Sequence, residues 1–162
     1  MPTRPSKLWK DLPPEKRIAA AEALWRDDDG MEQQVEAVVL LARRLNFRAK
    51  SVHTLPVEQR ARHLARIPDV SDSLAGRALV AYHFDIERPL MAAFLDALGV
   101  AHEEGLITAE TVPPPDTAQL TKAIESVRAA FPTDAVDLYL QTLVALDADT
   151  WTNLDALLPV TP

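Results

Sequence analysis

Apolar residues recur three and four positions apart along most of the chain, and that period predicts helices rather than strands. Ser6 can cap a short turn through Leu8 and Trp9. A first full helix is expected from about Pro13 to Asp27, with Ile18, Ala21, Leu24 and Trp25 on one face. Proline suits its first turn, where the missing N–H has no intrahelical partner. A second helix is expected over Met31–Leu45, with Val35, Val38, Val39, Ala42 and Leu45 inward and Asn46 as a left-handed stop. Residues 47–54, FRAKSVHT, read as a basic connector. A third helix follows from Pro56 to Ile67, with Val57, Ala61, Leu64 and Ala65 buried.

The strongest apolar stretch is 74–106. It predicts a helix from Asp72 to Phe84, capped by Ser71, Asp72 or Ser73, and a break near Arg88-Pro89. The next helix, ending at Leu98, carries Leu90, Met91, Phe94 and Leu95 with alanines between them. A helix apolar around most of its circumference is usually central, and Gly99 is its expected cap. Residues 100–115 offer a short helical turn at best, then a stiff Pro113-Pro114-Pro115 spacer. Asp116 and Gln119 make a capping box for a helix through Leu120, Ile124 and Val127, stopped by Pro132. Helices near 133–146 and 150–158 complete the chain, the two C-terminal helices forming an antiparallel hairpin on the helix that ends at Leu98.

These elements describe an all-α fold, a compact multi-helix domain of about seven or eight helices. The reading treats 1–162 as one domain: a helical core over 1–112, the proline spacer, and C-terminal helices docked on the core. Leu12-Pro13-Pro14-Glu15-Lys16-Arg17 echoes Leu55-Pro56-Val57-Glu58-Gln59-Arg60 after 43 residues. That offset lies in the range of HEAT-like helix pairs and hints at stacked helical hairpins. Trp9, Trp25 and Trp151 are expected to seal helix ends.

Composition narrows the chemistry. The 162 residues include no cysteine and only four glycines. Thiolate catalysis, disulfides and cysteine-ligated metals are therefore excluded, as is a glycine-rich phosphate loop. Neither an apolar leader nor a membrane-length run is evident, so a cytoplasmic location is expected. Arginine outnumbers lysine twelve to five, which points to a GC-rich bacterial genome.

The net charge of −7 is unevenly spread. Residues 1–66 hold 13 Lys/Arg against 9 Asp/Glu, and residues 67–162 hold 4 against 15. Arg43, Arg44, Arg48, Lys50, Arg60, His63 and Arg66 form a basic stretch suited to an acidic partner. Nucleic acid ranks below a protein there, because the chain is acidic overall and only Phe47 supplies an aromatic. His83, Asp85, His102 and Glu103, with Glu87 and Glu104 nearby, are the candidates for a metal or acid–base site. They show neither HExxH nor ExxH spacing. Asp27-Asp28-Asp29-Gly30 lacks the alternation of a calcium loop and reads as a cap and turn.

No catalytic motif is found, so the leading expectation is a non-enzymatic protein–protein interaction or scaffold domain without a cofactor, binding a partner or a second copy of itself. A metal-dependent or enzymatic protein using residues 83–104 is the alternative, and nucleic-acid binding through 43–66 the third.

Overall fold

The computed structural model describes residues 2–159 and is all-α. Its helices are α1 (Pro5–Asp11), α2 (Pro14–Arg26), α3 (Met31–Leu45), α4 (Ala49–His53), α5 (Val57–Ala65), α6 (Asp72–Ile86), α7 (Arg88–Leu98), α8 (Thr117–Ala130), α9 (Thr133–Leu146) and α10 (Thr152–Asp155). One antiparallel pair of two-residue strands, β1 (His102–Glu103) and β2 (Leu106–Ile107), lies between α7 and α8. Two units emerge, one spanning Pro5–Tyr82 and the other built from residues 2–4 together with residues 83–159.

In the first unit α2 packs on α5, and α3 packs on both α4 and α5. Leu24, Leu41, Leu64, Leu74 and Leu79 are fully buried there. The two echoing segments start their helices alike: Pro13 and Pro56 sit at φ −57°, ψ 149° and φ −56°, ψ 150°. Extended backbone at a proline just before a helix directs the chain into the first turn. Polar ties then hold the ends. The buried Trp9 donates its indole N–H to the Ile67 carbonyl at 2.9 Å. Arg17 donates to the carbonyls of Ala65 and Leu12, at 3.0 and 3.2 Å. Carbonyls at helix C-termini lack intrahelical donors, so the guanidinium at Ala65 supplies one. Helix α1 begins at Pro5, so Ser6 lies inside it; its N–H donates to Asp72. Ser71 takes the capping role for α6, its Oγ accepting from the Leu74 N–H.

Two expectations in this half change. Residues 47–54 are not a plain connector, because α4 occupies 49–53 and buries Val52. Helix α3 buries Ala37, Val38 and Leu41, while Val35 and Val39 face outward at 58% and 43% exposure. Two apolar stripes run along this helix, and the one set by Val38 and Leu41 is buried.

In the second unit α7 is surrounded. Leu90, Phe94 and Leu95 are fully buried with Leu120, Val136, Leu140 and Leu154. The Phe94 ring meets Tyr139 edge-on at 5.7 Å and lies 6.0 Å from Trp151. The chain breaks between α6 and α7 at Glu87, and Pro89 falls in the first turn of α7, where it is tolerated. The Asp116–Gln119 capping box forms in both directions, at 2.8 and 3.2 Å. Asn153 donates to the Pro115 carbonyl and ties the proline run to α10. Helix α10 covers only 152–155 of the expected 150–158.

The short turn expected after residue 100 is instead the β1–β2 hairpin. Glu104 and Gly105 connect its strands at φ +50° and +92°, the paired positive dihedrals of a two-residue hairpin turn. Gly105 also faces Met91: a Cβ placed on it would lie 2.8 Å from the Met91 Cβ. Gly99, the αL cap of α7 at φ +69°, has open space around it. The two glycines therefore carry different constraints. Gly105→Ala is expected to cost about 2–4 kcal/mol in chemical denaturation, combining αL strain with overpacking. Gly99→Ala is expected to cost only about 1–2 kcal/mol, the strain alone.

Candidate interaction surface

The turn between α2 and α3 places the first set of charges. Asp27 accepts the Asp29 N–H on one carboxylate oxygen at 3.0 Å and the Arg77 Nε on the other at 2.6 Å. Gln34 donates to the carbonyls of Leu24 and Asp27. Asp27 thus closes the turn and reaches 50 residues down the chain to α6. Desolvation pushes its pKa up, but the Arg77 hydrogen bond, the Asp29 N–H and the Arg77 charge outweigh that and hold it below the usual carboxylate value. Asp28 and Asp29 remain exposed. The DDDG run is therefore a cap and turn, with one acid committed inward and two left at the surface.

The basic stretch divides on folding. Arg43 and Arg44 leave the last turn of α3, and Arg48 and Lys50 flank the start of α4. All four are exposed, as is Arg66 after α5, and none of these five makes an ion pair among the described residues. Phe47, at 47% exposure, lies among them. His63 is half-buried. Arg60 leaves this set: its guanidinium carbon stands 5.4 Å from the centre of the Trp25 ring and its Nε is buried. Arg60 so covers a half-buried tryptophan.

The histidine–carboxylate candidates take separate duties. His83 is 2% exposed and packs on the Tyr139 ring at 5.5 Å. Burial also raises the Tyr139 phenol above its ordinary range, which keeps it neutral as a packing group. His102 bonds Asp96 through Nε2 at 2.6 Å, while its Nδ1 accepts the Gly105 N–H at 3.1 Å. That second bond requires a lone pair on Nδ1, so in the neutral ring Nε2 carries the proton toward Asp96. Both ring nitrogens are engaged, and the imidazole pins the hairpin to the end of α7. Asp85 and Glu103 are exposed. Among the described residues no group of three or more His, Asp or Glu is arranged to hold a metal ion.

An open cleft of about 450 Å³ lies beside Leu98, Val100, Thr111, Pro113 and Gln119. It is lined by no titratable side chain, and Gln119 already serves the α8 cap. General acid–base chemistry has no group to use there.

Two features had no signal in the sequence, and a third had an ambiguous one. The Asp27–Arg77 pair joins residues with no shared local pattern. The His102–Asp96 bond depends on the hairpin. The exposed Met31, Val35 and Val39 did have a visible four-residue spacing, but the same spacing fits a buried face.

Acid should weaken the Asp27 tie. Its folded pKa is depressed, so its contribution is full above the unfolded value near ~4 and fades as pH falls through the folded one. Arg77→Met is expected to lose roughly 1–3 kcal/mol at neutral pH. Denaturation at stepped pH should show the wild-type advantage shrinking below about pH 4. An advantage that stays constant into strong acid would contradict this assignment. No protein-family model, no curated protein and no solved structure matches the chain.

Proposed function

We propose that this chain is a non-enzymatic protein–protein interaction domain that takes an acidic partner through the end of α3 and the start of α4. The observation that carries this reading is the group Arg43, Arg44, Arg48 and Lys50, exposed and without an ion pair among the described residues, with Phe47 half-exposed among them. Exposed charges left without internal partners steer an oppositely charged surface toward them. An exposed phenylalanine beside them supplies apolar area that a purely electrostatic contact lacks. The other candidate residues favour the same reading by their occupation: His102 is engaged at both nitrogens, and His83 is packed into the core.

A synthetic amphipathic peptide rich in Glu and Leu tests the reading. Titrated by fluorescence anisotropy at low salt, it is expected to bind the wild type and to weaken about tenfold with Arg43→Glu/Arg48→Glu. Raising the salt should weaken it further. Equal binding by the charge-reversed protein, or retention of duplex DNA in preference to the peptide, would overturn the proposal.

A further inference from the structure

We infer that the partner of this surface is a second copy of the same chain, docked antiparallel along α3. The inference rests on the reading of the α3 end as a docking surface and names its occupant. Met31, Val35 and Val39 stand four residues apart on α3 and are 72%, 58% and 43% exposed. Residues at that spacing share one helix face, so they form a single apolar stripe open to solvent. The charges along the stripe are ordered. Exposed Asp28 precedes α3 in its turn, exposed Glu32 stands in the first turn of the helix and exposed Arg43 in the last.

Such a face is complementary to itself. In a twofold dimer each residue i meeting j implies that j meets i. An axis passing through Val35 puts Val35 against its own copy and Met31 against Val39, because those two lie about 6 Å either side of it along the helix. The same axis carries Arg43, eight residues or about 12 Å from the centre at 1.5 Å per residue, toward the turn that precedes α3 in the other copy, where Asp28 is exposed. One axis therefore satisfies both the apolar stripe and the charges. A parallel arrangement would set Arg43 against Arg43 and Asp28 against Asp28. Three partly exposed side chains supply far less than the ~800 Å² per partner of a stable interface, so the dimer is a weak, concentration-dependent one.

The absence of cysteine makes the geometry testable by single-site crosslinking. Under mild oxidation Val35→Cys is expected to form a disulfide dimer at least about tenfold faster than Leu106→Cys, a comparably exposed control outside the α3 sequence, since only a residue on the axis meets itself. Sedimentation equilibrium should show the wild-type dimer dissociating with dilution and with added salt. Arg43→Glu is expected to weaken it about tenfold, and Asp28→Arg/Arg43→Glu to restore it, because each copy then offers the swapped pair. Circular dichroism checks that every variant folds. A wild type that stays monomeric over the whole range overturns the inference, as does a dimer in which Val35→Cys crosslinks no faster than the control. A monomer that still binds the acidic peptide would overturn only this inference and leave the broader reading standing.

Discussion

A helix that is apolar around most of its circumference can be accommodated only by being surrounded, and α7 sets that requirement for the second half of the chain. Helices α8, α9 and α10 supply the surround through Leu120, Val136, Leu140 and Leu154. The Phe94, Tyr139 and Trp151 rings fix the packing more tightly than aliphatic contact alone, because edge-on aromatic pairs have a preferred geometry. Even the polar groups nearby serve this end. His102 and Asp96 hold the hairpin at the end of α7, and Asn153 anchors the proline run that leads to α8.

The first half has no such central helix, and it relies more on polar ties between distant segments. Trp9 to Ile67, Arg17 to Ala65 and Arg77 to Asp27 each span about fifty residues or more. These bonds fix where short helices end, which apolar burial leaves loosely specified. They also use up cations. Arg17, Arg60 and Arg77 are engaged internally, whereas Arg43, Arg44, Arg48 and Lys50 at the end of α3 and the start of α4 are exposed.

Helix ends were the most legible part of the sequence. Asn46 and Gly99 stop α3 and α7 in left-handed geometry, and Asp116 with Gln119 opens α8, because those residue types answer a local need of the backbone. The β1–β2 hairpin was not legible: two residues per strand are too few for an alternating pattern, and a Glu-Gly turn is a weak signal beside Asn-Gly. Helix α4 was hidden by its basic flanks. The outward stripe on α3 escaped for a different reason. Periodicity shows that Val35 and Val39 share a side and that Val38 and Leu41 share another, but which side meets the core is decided by the neighbours. The metal candidates, in turn, were close in sequence but form no metal-holding group of three or more among the described residues, and the six-residue hairpin turns His102 toward Asp96.

The tryptophans have a consequence beyond sealing helix ends. Trp151 is the indole of the second unit, and Trp9 is the fully buried indole of the first. Trp25 is half-buried beneath a guanidinium, a polar setting unlike the other two. Indole emission shifts with the polarity around the ring, so each half of the chain carries its own optical label. Silencing Trp151 leaves a signal belonging to residues 5–82 alone, and the independence of the two halves becomes a quantity readable in a cuvette from a single, otherwise unaltered chain.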